Sequence, residues 1–408
     1  MQTHTFGATW QPSSGSGHSH GNALGKTLKK ARSVSLDRVG KAVVLGVTTC
    51  VIAGAALTAC GNDDNGRGAS SSANPGGRAA VVSCAGKNAL TAEGSSAQQL
   101  AIAVFNQAWG QACQGKKVNY NATGSGSGRE QFIAGHVDFA GADSPLVSEQ
   151  IGPAAKRCNS HPAWDLPLVF GPVALIYNLP GVPALIVSGD ALAKIFSGMI
   201  TTWNDPTLVA LNRGVALPDT RITPIYRTDP SGTTDNLQKY LTVAAPQSWT
   251  QGVGTRFQGG AGQGASSASG VIEAVRATPG TIGYVEKGYA DQAGLPYTQI
   301  DTGHGAVPLT SDTARNGVNA AKFVATGNDL VLDLDSIYGT HEANAYPFVL
   351  ATYEIVCSAG YDADTAAAIK SFLTVAAGDG QAGLSAGGYV PLPDKVKERL
   401  VAAINAMQ

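Results

Sequence analysis

Charge is scarce in this sequence. Lys, Arg, Asp and Glu make up 14% of 408 residues, and the formal net charge is −1. Basic residues gather at the front: Lys26, Lys29, Lys30, Arg32, Arg38 and Lys41 face a single acid, Asp37, within residues 1–59. The remaining 22 basic and 28 acidic residues leave the rest of the chain at −6. An acidic body has no field to hold a polyanionic backbone, which excludes nucleic acid as a partner. Histidine is also sparse. The seven histidines are scattered at no metal-ligand spacing, so neither a metal nor any other cofactor is expected. No G-x-x-x-x-G-K-[ST] loop occurs. Gly383-Leu384-Ser385-Ala386-Gly387 fits the G-x-S-x-G pattern, but a helical segment and Gly378-Asp379-Gly380 precede it, where that elbow needs a strand. The last histidine, His341, comes before Ser385, so the Ser…Asp…His order cannot be completed. The expectation is therefore not an enzyme.

Long apolar runs are missing as well. The run 42–57 falls short of the roughly 20 residues that a bilayer span needs. It follows a basic region, 26–41, and ends in small residues, which is the pattern of an export signal. Its ending, Leu57-Thr58-Ala59-Cys60, resembles a bacterial lipobox, in which Cys60 is lipidated and becomes the mature N-terminus. Residues 1–25 are Gly/Ser/His-rich without periodicity and read as a disordered extension, or as a start codon placed too early. The Gly/Ser-rich stretch 61–80 reads as a flexible tether between anchor and body. Four cysteines lie beyond the signal, an even set in an exported chain, which reads as two disulfides. Four cysteines allow three pairings, of which Cys84–Cys113 with Cys158–Cys357 is the favoured one.

Glycine is plentiful, with 51 residues, and the apolar periodicity alternates between strand and helix. A strand at 89–92 leads through Gly94-Ser95-Ser96 into a helix carrying Leu100, Val104, Phe105 and Trp109. A strand at 117–121 leads through Thr123-Gly124-Ser125-Gly126-Ser127-Gly128 into a short helix from Arg129. A strand at 136–142 ends in Asp143-Ser144-Pro145. A strand at 222–226 leads through Arg227-Thr228-Asp229-Pro230-Ser231-Gly232-Thr233-Thr234 into a helix with Leu237, Tyr240 and Leu241 on one face. Polar residues thus stand at the carboxyl ends of strands, the edge where open α/β sheets hold ligands. Free N–H groups at a helix start, with hydroxyls and a guanidinium beside them, suit an anion. The apolar runs 166–178 and 348–356 read as one strand leaving a first domain and another returning to it. Residues 252–270 read as a glycine-rich loop.

Taken together, these stretches resemble the phosphate-binding lipoproteins of bacterial phosphate ABC importers, of the actinobacterial, mycobacterial type. Ile200-Thr201-Thr202-Trp203-Asn204-Asp205-Pro206, Ala351-Thr352-Tyr353-Glu354-Ile355-Val356-Cys357 and Tyr389-Val390-Pro391-Leu392-Pro393 also fit, and the likeness runs from Cys60 to the C-terminus. It implies a periplasmic-binding-protein type II fold: two α/β lobes joined by crossing strands, with the ligand cleft between them. Lobe I is expected at 84–171 plus 344–408 and lobe II at 172–343, after a signal at 1–59 and a tether at 60–80. The resemblance implies Ser96, Ala97, Ser125, Asp143, Arg227, Ser231, Gly232 and Thr233 as phosphate ligands, with Asp229 holding Arg227. It implies a monomer, lipid-anchored on the outer face of the cell membrane, that passes inorganic phosphate to permease subunits. The alternatives are a binder of another oxyanion such as sulfate, or a phosphate-ester hydrolase on the same scaffold. Relatives with an aromatic at position 97 leave cleft burial open on that side of Ala97. Arg129 stands where an apolar or small residue is expected, and it is expected to face solvent.

Overall fold

The computed structural model describes residues 82–340 and 342–408. The extension, the export signal with Cys60 and the tether lie outside the described residues.

Eight strands make one sheet: β1 Ala89–Gly94, β2 Lys117–Asn121, β3 Phe139–Ala142, β4 Ala163–Asn178, β5 Thr223–Arg227, β6 Gln263–Ala265, β7 Thr281–Glu286 and β8 Val349–Cys357. Their spatial order is β2-β1-β3-β8-β4-β7-β5-β6. The outer trios are parallel inside themselves, β1 with β2 and β3, and β5 with β6 and β7. Each parallel trio is fed by helical crossovers, the connection that parallel pairing requires. The two long strands in the middle are antiparallel to each other.

β4 is the element on which the two halves turn. Its residues through Pro172 pair with β8, and from Val173 onward they pair with β7. Nearly every residue of both long strands is buried, β8 throughout. That burial on both faces explains why 166–178 and 348–356 are continuously apolar instead of alternating. The fold is a two-lobed α/β architecture with crossing strands, as expected.

The carboxyl ends of β1, β2 and β5 run into the helices Gln99–Ala112, Ser125–Ile133 and Gly232–Ala244. The second of these starts at Ser125, four residues before the expected Arg129, so the Gly-Ser repeat is the first turn of the helix and not a loop. The loop at 252–270 is likewise shorter than expected, because β6 and the helix Ser267–Ala277 occupy its second half. Packing of Phe139, Trp109 and Phe105 about Phe372 fixes the first helix against the sheet. Both disulfides, Cys84–Cys113 and Cys158–Cys357, are present. The Gly383–Gly387 stretch lies in a 3-10 turn, Asp379–Gly387, after the helix Ala363–Ala377, and so lacks the strand that a nucleophile elbow requires.

Candidate functional site

Asp143, immediately after β3, is the centre of the site. It is 1% exposed and collects hydroxyls from three separate elements. Ser95, after β1, donates to its carboxylate at 2.6 Å, and Thr352 of β8 donates at 2.7 Å. Ser125, at the start of its helix, donates to Oδ2 at 3.1 Å while its Oγ accepts the Asp143 N–H at 3.0 Å. Burial pushes the Asp143 carboxyl above the usual carboxylate range, against these three hydroxyls and the Arg227 guanidinium, which favour its charge.

Facing it is the stretch after β5. Arg227 is 3% exposed, and its Nε donates to Asp229 Oδ1 at 2.7 Å while a terminal nitrogen pairs with Oδ2. Burial works against the guanidinium charge, but Asp229 outweighs it and holds the Arg227 pKa above its ordinary value. Asp229 is in turn fixed by the Ser267 N–H at 3.0 Å. Asp229 therefore holds Arg227 in one orientation. Ser231 caps the helix Gly232–Ala244, its Oγ accepting the Thr234 N–H at 3.2 Å. Its own N–H donates to the Thr255 carbonyl at 2.9 Å. The next residue, Gly232, lies against Asp143 and Ser125. Thr233 Oγ1 stands 2.7 Å from Glu286 Oε1, at the end of β7.

The two faces are tied together. The Gly126 N–H donates to the Pro230 carbonyl at 3.0 Å. The Asn236 side-chain amide donates to the Asp143 backbone carbonyl at 2.7 Å and to the Gly232 backbone carbonyl at 2.8 Å, and the Tyr338 hydroxyl donates to Asn236 Oδ1. Ser144 bonds Asp235. Apart from the half-buried Pro230 these residues are buried, so their bonds act with little competition from water.

The structure brings Ser125, Asp143, Arg227, Ser231, Gly232 and Thr233 together in this cluster. Ser96 and Ala97 border it differently. It is Ser95, not singled out by sequence, that reaches Asp143 and accepts the Ala97 N–H at 3.0 Å. Ser96 Oγ is buried with no hydrogen-bond partner. The Ala97 side is covered by two tyrosines, neither of which the sequence marked as a site residue. Tyr389 donates to the Ala97 carbonyl at 2.6 Å, and Tyr289 donates to the Ser96 carbonyl at 3.1 Å. They supply from elsewhere the aromatic cover that position 97 lacks.

Arg129 is a correction. It does not face solvent: it is 6% exposed, and a terminal nitrogen donates to the Ser144 carbonyl at 3.2 Å. Burial lowers its pKa, while Asp235, Asp165 and Asp143 favour its charge. It adds a cation directly behind Asp143. Among the described residues, six buried side-chain atoms lack a hydrogen-bond partner. Five of them, on Ser96, Gln98, Arg129, Glu286 and Glu354, belong to this cluster or its immediate surroundings. Unmet polar atoms gathered at one place mark a site built for a polar ligand.

Comparison with known proteins follows the same line. The family model described as a PBP superfamily domain matches residues 69–379. The chain is 46% identical over 376 residues to the protein named phosphate-binding protein PstS 3 of Mycobacterium tuberculosis, covering 92% of this chain and all of that one. It is 45% identical over 355 residues to phosphate-binding protein PstS 2 of the same organism, covering 86% of this chain and 95% of that one. Among solved structures it is similar to a high affinity periplasmic phosphate-binding protein, PfluDING, bound with phosphate. The TM-score is 0.63 at 21% identity, covering 77% of this chain and 93% of that one.

Proposed function

This chain belongs to the PstS family of phosphate-binding proteins within the PBP superfamily, and on that premise we propose that it captures inorganic phosphate outside the cytoplasm and delivers it to the permease of an ABC importer. The observation that carries the reading is the convergence of Ser95, Ser125, Arg227 and the start of the helix Gly232–Ala244 on one buried acceptor, Asp143. Ser96, Ala97, Ser125, Arg227, Ser231, Gly232 and Thr233 are the proposed donors to the ion, by N–H, hydroxyl or guanidinium, Ala97 by an N–H that gives up Ser95 Oγ and Ser231 by its hydroxyl. Such charge-assisted bonds contribute roughly 1.5–3 kcal/mol each, and ordering costs offset much of the sum, so a micromolar or tighter constant of about −8 kcal/mol is reached.

Asp143 supplies selectivity. Phosphate at neutral pH carries a proton and sulfate does not. The buried Asp143 carboxylate accepts the proton of the former, whereas the latter has none to give and is set against a like charge, which costs several kcal/mol. The halves of the sheet on either side of the change of pairing partner at Pro172/Val173 are the proposed lobes, 84–171 plus 344–408 and 172–343. Their closure on the ion is the state the importer reads. The protein acts as a monomer, without enzymatic activity, anchored through lipidated Cys60 on the outer face of the cell membrane. Calorimetric titration of ligand-stripped residues 61–408 tests the reading: phosphate binds at micromolar or tighter affinity and sulfate far more weakly. Preference for sulfate, or binding of neither ion, overturns it.

A further inference from the structure

We propose that Glu286 is a positioning residue that sets the direction of the Thr233 hydroxyl, and so decides whether Thr233 donates to the bound anion. The inference rests on the phosphate reading above, in which Thr233 faces the ion.

Glu286 ends β7 and is 1% exposed. Its Oε1 lies 2.7 Å from Thr233 Oγ1, and its Oε2 has no hydrogen-bond partner. A hydroxyl has one hydrogen to give. If Glu286 is a carboxylate, that hydrogen is committed to Oε1, and Thr233 presents only lone pairs to an anion. If Glu286 is a neutral acid, its own O–H donates to Thr233 Oγ1, and the Thr233 hydrogen turns to the anion. The two states differ by one proton and by one donor at the site.

The surroundings favour the neutral acid. An ionised carboxylate with a bare buried oxygen is costly, whereas a neutral carbonyl oxygen in the same place costs less. The charged and titratable groups about Glu286 come from every packed element. They are Asp143 after β3, Arg227 at the end of β5, Tyr289 on the following helix and Tyr389 before the last helix. Burial raises the Glu286 pKa, and Asp143 raises it further, while Thr233 and Arg227 act the other way. A dianionic ligand adds negative charge and pushes in the same direction as Asp143.

The test is phosphate titration of wild type, Glu286→Gln, Thr233→Val and the Glu286→Gln, Thr233→Val double variant from about pH 6 to about pH 9. Glutamine keeps a donor toward Thr233 at every pH. Wild type is expected to lose about tenfold more affinity across that range than Glu286→Gln, because only wild type can ionise there. In the Thr233→Val background the glutamine is expected to leave the pH profile unmoved. Parallel profiles for wild type and Glu286→Gln overturn the inference while leaving the phosphate reading intact. Wild type that binds no phosphate at any pH overturns both. Should Glu286→Gln fail to fold, the carboxyl carbon resonance of Glu286 in phosphate-loaded wild type decides: a neutral acid near pH 6 supports the relay, and a carboxylate there overturns it.

Discussion

Gly232 and Asp143 touch so closely that no side chain fits between them. A Cβ on Gly232 would lie 2.5 Å from Asp143 Oδ2 and 2.3 Å from Ser125 Oγ. Gly232 is the first residue of its helix, so the helix start can pack against Asp143 only because that one carbon is absent. Gly232→Ala is favourable for the helix itself by about 1 kcal/mol. It should nonetheless weaken phosphate roughly tenfold to a hundredfold, since overpacking of about 1–3 kcal/mol must push the helix start away from Asp143. Calorimetry checks this, and an alanine variant binding as tightly as wild type contradicts it.

Asp143→Asn keeps the shape and removes the charge. Its amide places a donor among the Ser95, Ser125 and Thr352 hydroxyls, which then have one acceptor oxygen in place of two. Phosphate binding should weaken, and the preference over sulfate should narrow, because repulsion of a dianion is gone. Paired titrations with both ions measure the ratio. Full retention of the phosphate preference would sink the proton-acceptor account.

The elements were legible where one period dominates. The strand at 117–121 coincides with β2, and the helix carrying Leu100, Val104 and Trp109 is Gln99–Ala112, because an apolar face repeating at one period has one way to be buried. The start of the helix at Ser125 was not legible, since Gly-Ser-Gly-Ser-Gly has poor helix propensity. Tertiary packing overrides it: a Cβ on Gly128 would fall 2.5 Å from the Gly94 Cα, so glycine there is needed for close approach and not for a loop. Ser95 and Ser96 are indistinguishable by type, and only the exit of β1 decides which hydroxyl meets Asp143. Thr352 and Glu286 reach the site through strand order, and Tyr289 and Tyr389 from segments distant in the chain, which no local pattern carries. Arg129 looked like a surface residue because the carboxylates that surround it, Asp165 and Asp235, are far away in sequence.

Arg227→Ala should weaken phosphate by a few kcal/mol, roughly a hundredfold or more, because a buried charged donor is lost. It also leaves Asp229 without its cation, so that an uncompensated negative charge stands beside the ion. Lysine should rescue only partly, since a point charge cannot satisfy Asp229 and the ion with one planar fork. The comparison of the three proteins is calorimetric. Binding by Arg227→Ala at wild-type affinity would reduce the stretch 227–234 to a turn.

The Cys158–Cys357 bond spans 199 residues and the Cys84–Cys113 bond spans 29. The loop-entropy model gives about 5 kcal/mol for the longer loop and about 4 kcal/mol for the shorter. Removal of Cys158–Cys357 should therefore be the more damaging change. Urea unfolding of the two double-serine variants ranks them, and equal or reversed midpoints contradict the ordering.

Stability should fall as pH rises through the neutral range. Burial lifts Asp165 to about 8, helped by the neighbouring Asp329, and lifts Glu354 to about 8, helped by Asp143. Glu286 is raised as well. Between the ordinary carboxylate range and about 8, the folded protein holds protons that the unfolded chain has released, so each step up in pH favours unfolding. Asp190 and Asp229 are lowered, and their contributions are lost only on acidification below the ordinary carboxylate range. The melting temperature of the ligand-free protein should therefore decline from about pH 5 to about pH 8. Glu354→Gln should make the decline shallower, because the amide stays neutral in both states. Scanning calorimetry across that range on the two proteins checks the sign: a melting temperature that rises toward pH 8, or a slope that Glu354→Gln leaves unchanged, would show that these carboxyls are ionised in the fold at little cost.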